Sequence, residues 1–134
     1  MRTLVLALLL FVLPTVAGAQ KAQKKWTSIG KTASGNEVFV DAKSVKRTGN
    51  LVAATVRVVF TPPVQTRMGA MMSSRHRATF DCAKKALAAK ENVYYGDAKE
   101  TKVVDRKVNA IPGYGPALGG SMGALALEHL CAAR

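Results

Sequence analysis

The stretch GGSMGALALEHLC, residues 119–131, decides which fold this sequence predicts. Its first five residues fit the pattern G-x-S-x-G, which in one large class of enzymes holds a nucleophilic serine. Such a serine follows directly on a strand of a large sheet, and an acid and then a histidine must come later in the chain. Here a Gly/Pro-rich segment precedes Ser121 and only 13 residues follow it. We therefore interpret Ser121 as a helix N-cap, whose hydroxyl accepts a hydrogen bond from a free amide of the first turn.

A helix that runs on from Met122 would be amphipathic. At about 100° per residue, its small and apolar residues fall on one side. They are Gly123, Leu127, Leu130 and Cys131. Glu128 and His129 lie on another side, while Met122 and Leu125 lie off the apolar stripe and are either exposed or covered by a partner. The pattern predicts that Cys131 faces the protein interior.

The first 19 residues have the layout of a secretory signal peptide. Arg2 is followed by an apolar run and by an A-x-A cleavage pattern at residues 17–19. The apolar run is shorter than the ~20 residues that a membrane-spanning helix needs. We expect residues 1–19 to be removed and residues 20–134 to form a single domain without a membrane span, located in the periplasm or at the cell surface. The alternative is an uncleaved N-terminal anchor.

The two cysteines, Cys82 and Cys131, both lie in the part that is predicted to be exported. In an oxidising compartment, a lone pair of cysteines most simply forms one disulfide. It would close a loop of about 50 residues, for which the chain-entropy model gives a stabilisation of ~4 kcal/mol. A metal site is not expected, because these cysteines and the two histidines lack the paired spacing of zinc ligands.

Alternation of apolar and polar residues predicts two central strands, at residues 51–61 and 74–82. The apolar face of the first strand carries Val52, Ala54, Val56, Val58 and Phe60. The second strand places His76, Ala78, Phe80 and Cys82 on one face, and Arg75, Arg77, Thr79 and Asp81 on the other. Cys82 is therefore predicted on the core side, where the helix can reach it.

Shorter strands and turns complete the predicted fold. Strands are expected at 26–30, 37–41, 84–96 and 99–108, from their β-branched and aromatic residues and flanking turns. For residues 84–96 the alternative is a helix, which their Ala, Leu, Lys and Glu residues favour, whereas the VYY run before Gly96 favours a strand. Pro62-Pro63 is expected to end its strand, which leaves residues 62–74 as a loop. The sequence thus predicts an α+β fold: an antiparallel sheet of about five or six strands with a C-terminal helix tethered by a Cys82–Cys131 disulfide.

The charge of the chain indicates an anionic partner. Removal of the signal peptide takes away only Arg2 and leaves 19 basic and 8 acidic residues, a net charge of +11. Such a surface attracts acidic proteins, sulfated glycans and anionic envelope components, although it could also serve only to keep the protein in solution. Nucleic acid is not expected, because the protein is exported. The candidate anion-binding residues are Lys21, Lys24, Lys25, Arg57, Arg75 and Arg77.

The chain contains few residues suited to a cofactor or to catalysis. His76 and His129 are its only imidazoles and are candidate axial ligands for haem. Alternatively, His76 is a half-buried, hydrogen-bonded residue and His129 a solvated helix residue. The eight acidic residues are scattered, and no pair has a spacing that favours acid/base catalysis. We therefore predict no catalytic residue, no metal and no cofactor.

Several short motifs resemble those of the proteobacterial surface-adhesin protein E family, whose members are small exported domains. Each motif is weak alone, but their order and spacing across nearly all of residues 20–134 are specific. The matching residues are Trp26, Ile29-Gly30, VFVD at 38–41, Ser44-Val45, Gly49-Asn50, Asp81-Cys82, Tyr94-Tyr95-Gly96, Ser121, Gly123 and Cys131.

The resemblance carries expectations about fold and function. It implies a multistranded antiparallel sheet with a C-terminal helix held against it by a disulfide. It also implies a noncatalytic surface adhesin that forms a homodimer and binds host extracellular matrix proteins, plasma proteins or haem. The alternative function is that of a periplasmic protein that binds haem, another small ligand or an envelope lipid.

Overall fold

The computed structural model describes residues 25–132, so the predicted signal peptide and the candidate residues Lys21 and Lys24 lie outside the described residues. Within this range the chain forms eight strands and one α-helix. The strands are β1 (Trp26–Lys31), β2 (Glu37–Asp41), β3 (Lys46–Thr48), β4 (Leu51–Thr66), β5 (Gly69–Asp81), β6 (Ala86–Tyr95), β7 (Val103–Val108) and β8 (Gly115–Pro116). The helix, α1, spans Met122–Ala132, and a short 3-10 turn at Ala42–Ser44 joins β2 to β3.

All eight strands belong to one antiparallel sheet. Its main order is β1-β2-β4-β5-β6-β7, while β3 pairs with β4 and β8 pairs with β6. The predicted α+β fold, an antiparallel sheet with a C-terminal helix, is therefore confirmed. The six strands of the main order match the expected number, and the short strands β3 and β8 are additional.

The core lies between one face of the sheet and α1. Alternation in β4 and β5 sends apolar side chains to this face, and their register places Val52 opposite Phe80 and Ala54 opposite Ala78. The buried side chains of the sheet in this core are Val38, Val40, Val52, Ala54, Val56, Val58, Ala78 and Phe80. Phe60, predicted on the same face, is only partly buried.

The helix is capped and seated as its sequence predicts. The Ser121 hydroxyl accepts a hydrogen bond from the Ala124 amide at 3.2 Å, which confirms Ser121 as the N-cap. Gly123 faces the sheet so closely that a Cβ there would lie 2.6 Å from Leu87 Cδ2. At the other end, the Arg47 guanidinium donates to the Leu130 carbonyl at 2.6 Å, where a cation complements the helix dipole.

A disulfide joins the helix to the end of β5. Cys82 and Cys131 are bonded, with their Cα atoms 5.5 Å apart, which confirms the predicted pair. Met122 and Leu125 are partly buried against the core cluster, and a Cβ on Gly30 of β1 would meet Leu125 Cδ2 at 3.4 Å. The core therefore covers part of these two side chains, and β1 lies against Leu125.

The predicted end of the central strand at Pro62-Pro63 is wrong. Strand β4 continues to Thr66, and β5 begins at Gly69, so most of the expected loop is a long hairpin. Proline cannot donate a backbone hydrogen bond, but the ladder between β4 and β5 is interrupted between Val59 and Val64, which spans the two prolines. The ladder between β2 and β4 stops at Val59, so the prolines also lie beyond the pairing with β2.

Candidate binding site

The face of the sheet opposite α1, which we call the open face, carries three of the candidate anion-binding residues. Residues of β4 and β5 that alternate with the buried ones point to it, and among them are Arg57, Arg75 and Arg77. The β4–β5 register places Arg57 directly opposite Arg75, and Thr55 opposite Arg77. The structure therefore brings the three predicted arginines together. Two like charges in a direct cross-strand pair destabilise a sheet unless a counterion lies between them.

Glu100 supplies that counterion. Its side chain is only 4% exposed and pairs with both arginines, through Arg57 Nε at 2.5 Å and through Arg75 Nη2. The Ser73 hydroxyl, also on this face, donates to the same carboxylate at 3.4 Å. Glu100 adopts a positive φ of 58°, a backbone conformation that non-glycine residues seldom adopt. We infer that the ion pairs hold the loop in this conformation.

Asp97 shapes the loop that delivers Glu100 to the open face. Its carboxylate accepts hydrogen bonds from the Thr101 hydroxyl at 2.5 Å and from the Thr101 and Lys102 amides at 2.9 Å. The hydrogen bond from the Thr101 side chain, followed by that from the Lys102 amide, lowers the pKa of Asp97 below its usual value. A backbone bond from the Gly96 amide to the Lys102 carbonyl closes the loop at 2.9 Å.

Aromatic rings surround the two paired arginines. The Arg57 Cζ atom lies 5.8 Å from the centroid of the Trp26 ring and 5.9 Å from that of Phe39. The Arg75 Cζ atom lies 5.3 Å from the Trp26 centroid and 5.6 Å from that of Tyr95. These distances are within the range of cation–π contacts. The candidate residue Lys25 also contacts Trp26, with its Nζ atom 5.5 Å from the ring centroid.

A second carboxylate on the open face, Glu91, organises the remaining arginines. It pairs with Arg77 at 3.3 Å and with Arg106 Nη2 at 2.5 Å, and its own side chain is 12% exposed. A shallow groove of about 240 Å³ lies between this group and Trp26, with Tyr95 on its wall. We call Trp26, Phe39, Arg57, Arg75, Tyr95 and Glu100 the arginine cluster. Anion binding by its arginines and by Arg77 stays a prediction, because a carboxylate already pairs with each of them.

The sequence did not indicate the roles of Glu100, Glu91, Trp26 and Tyr95. Alternation assigns each strand residue to a face, but only the register shows that Glu91 lies opposite Arg77. Glu100 lies in the turn-rich segment GDAKET, where no periodic pattern gives a side-chain direction. The nearest indication in the sequence is Asp97, a residue type that favours turns, with Thr101 four positions after it.

The two histidines lie in different environments. His76 is partly buried on the helix-covered side of the sheet, where its Nδ1 and Nε2 atoms bond Asn92 Oδ1 at 2.9 Å and Ser74 Oγ at 2.7 Å. Burial lowers the pKa of His76, an effect that the hydrogen bond with Asn92 partly opposes. His129 is exposed on α1. Haem ligation by either stays a prediction, and both ring nitrogens of His76 already have partners.

Two further findings concern only residues 25–132. No three side chains of the metal-ligating types gather closely enough to hold an ion in this range. None of the helical segments described there has both the length and the apolar character required to span a bilayer.

Comparison with known proteins identifies a family and a fold. The sequence model of a family described as surface-adhesin protein E matches residues 26–132. Crystal form II of Haemophilus influenzae protein E is 12% identical, covers 82% of this chain and 89% of its own, and superposes with a TM-score of 0.57. Protein E from non-typeable Haemophilus influenzae is 13% identical, with coverages of 87% and 82% and a TM-score of 0.54. No curated protein matches the sequence.

Proposed function

Because the chain belongs to the surface-adhesin protein E family, we propose that it is an exported, noncatalytic binding protein that attaches to host matrix or plasma proteins. The family supports an adhesin-like protein at the cell surface. Export rests on the signal peptide expected at residues 1–19, and the Cys82–Cys131 disulfide supports it, because such bonds persist in oxidising compartments. A homodimer, which the resemblance implies, stays a prediction.

The observation that carries this proposal is the set of arginine and aromatic side chains on the open face. Arginine, tryptophan and tyrosine are the residue types enriched at the energetic centres of protein interfaces. Here they stand on paired strands, and ion pairs to Glu100 and Glu91 fix the arginines in place. A preorganised surface loses less side-chain entropy when a partner binds. Arg77 and Arg106 remain 54% and 62% exposed, so a partner can reach them.

Charge suggests the chemistry of the partner surface. The chain carries 20 basic and 8 acidic residues. Two carboxylates of the open face, Glu100 and Glu91, are already paired with arginines, so they offer little free negative charge to an approaching partner. We propose that the partner presents an acidic surface, and that its attraction weakens as salt screens the charges.

The proposal is tested by adherence of cells to surfaces coated with extracellular matrix or plasma proteins. A strain that lacks the gene should adhere less, and the wild-type gene should restore adherence. Complementation with Arg106→Ala should give adherence at least about threefold lower than complementation with wild type. Lys107→Ala is the matched control, because Lys107 is the next residue in β7, is exposed and points to the opposite side of the sheet. Equal adherence of the deletion and wild-type strains would refute the proposal.

A further inference from the structure

A second groove on the open face is basic and lies beside the arginine cluster. It has a volume of about 530 Å³ and is lined by Lys43, Lys46, Arg77 and Lys90, with Thr55 and Thr79 on its floor. We call it the lysine groove. It shares Thr55 and Arg77 with the smaller groove beside Trp26, so the two form one continuous surface.

The local structure fixes where the lysines stand. Lys43 lies in the 3-10 turn, which the Ser44 hydroxyl anchors to β4 by accepting from the Thr55 amide at 2.8 Å and donating to the Asp41 carbonyl at 2.7 Å. Lys46 begins β3. Lys90 occupies the irregularity in β6 where the register with β5 shifts between Arg77 and Ala78. The groove therefore receives cations from three separate elements.

These lysines differ from the arginines in being uncompensated. Lys43, Lys46 and Lys90 are exposed, and none of them forms an ion pair in the described part of the chain. No acidic residue among those described lines the groove, whereas Asp41 and Glu91 line the neighbouring groove. We therefore expect the strongest unneutralised positive potential of the open face in the lysine groove. None of its three lysines is among the anion-binding candidates predicted from the sequence.

We propose that the lysine groove binds a sulfated glycan. Strands β3 and β6 are three strand spacings apart, so the backbones of Lys46 and Lys90 are separated by roughly 14 Å across the sheet. Cations spread over that distance suit anionic groups repeated along a chain better than they suit a single phosphate. The Thr55 and Thr79 hydroxyls on the floor can both donate to sulfate oxygens and exchange hydrogen bonds with sugar hydroxyls.

The composition of the groove argues against two other classes of anionic ligand, nucleic acids and lipids. Single-stranded nucleic acid is held by stacking of its bases on aromatic rings, and no aromatic residue lines this groove. A lipid needs apolar surface for its acyl chains, whereas Ala53 is the one apolar side chain that the described strands direct into this groove. The inference rests on the proposed adhesin function, because sulfated glycans are met outside the cell, but it can be tested without reference to location.

The test measures binding of the purified full-length protein to a heparin oligosaccharide by isothermal titration calorimetry. The groove variant carries Lys43→Gln, Lys46→Gln and Lys90→Gln. The control variant carries Lys84→Gln, Lys99→Gln and Lys107→Gln, which removes the same charge from exposed lysines that lie outside the groove. We expect an affinity about tenfold lower for the groove variant and less than about twofold lower for the control. Both variants should keep the thermal midpoint of the wild type.

The proposal would be overturned by no binding of heparin by the wild type, by equal losses in the two variants, or by undiminished binding of desulfated heparin. Preferential binding of phosphatidylglycerol vesicles over heparin would also overturn it and favour an envelope lipid. Failure of the adhesin proposal looks different. If the protein binds heparin through the lysine groove but does not affect adherence, this inference is supported and the proposed adhesin function is refuted.

Discussion

Glu100 shows how much a single residue contributes to the open face. It holds a positive φ, is almost fully buried and separates two arginines that stand directly opposite each other. No sequence pattern predicts this role, because it depends on the β4–β5 register and on the path of a loop. Ser121 is the opposite case: its capping role follows from local sequence alone, and the structure confirms it.

Glu100→Gln should destabilise the protein by about 1–3 kcal/mol. The substitution keeps the shape of the side chain but leaves Arg57 and Arg75 facing each other without a counterion. The expected loss is below that of a fully buried pair because the arginine side chains are 21% and 34% exposed. Urea denaturation measures it. Glu37→Gln is the matched control, since its partner Lys31 is 66% exposed and less than about 1 kcal/mol should be lost. Equal effects would contradict the role of Glu100.

Because His76 is partly buried, the folded protein should become less stable in mild acid. Burial lowers the pKa of His76 from its ordinary value of 6.5, so the unfolded chain takes up this proton at a higher pH than the folded protein does. The free energy of unfolding should fall as the pH drops through 6.5 and level off, for this group, below the folded pKa. Urea midpoints at about pH 7.5 and about pH 5.5 measure the effect. His76→Gln should reduce the difference and the exposed-site control His129→Gln should keep it; an unchanged slope in His76→Gln would refute the assignment.

At the scale of elements, the alternating strands and the helix could be predicted, whereas the hairpin of β4 and β5 could not. Apolar alternation identified the buried residues from Val52 to Val58, because one face of a strand meets the core. Pro62-Pro63 resembled a strand terminator because proline removes a ladder hydrogen bond. The structure tolerates it because the ladder is interrupted there, and an interruption of pairing leaves no mark in the sequence of one strand.

The disulfide should stabilise the folded protein by holding α1 against the sheet. It closes a chain segment with a separation of 49 residues, and the chain-entropy model gives about 4 kcal/mol for such a loop. The double variant Cys82→Ser, Cys131→Ser should therefore lose about this much free energy of unfolding, measured by urea denaturation under oxidising conditions. Wild-type protein treated with a reductant is the control and should match the double variant. Identical stability of the oxidised wild type and the variant would contradict the tethered-helix account.

For the whole molecule, the sequence predicted the amount of positive charge but not its division between paired and free groups. Arg77 and Glu91 are 14 positions apart, and only the β5–β6 register makes them neighbours. Compensation of the arginines shifts the free charge to the lysine groove, which draws on the 3-10 turn, β3 and β6. Total charge is additive and can be read from composition, whereas local potential depends on which residues the sheet brings together.

The central claim, that the protein acts as an adhesin outside the cell, is tested most directly by its location. Intact cells that produce the protein are treated with protease and then probed by immunoblot. Lysed cells show that the protease cuts the folded protein, and a periplasmic marker shows that the intact cells did not leak. The account predicts digestion on intact cells while the marker survives. Protection of the protein until the cells are lysed would place it in the periplasm and contradict the claim.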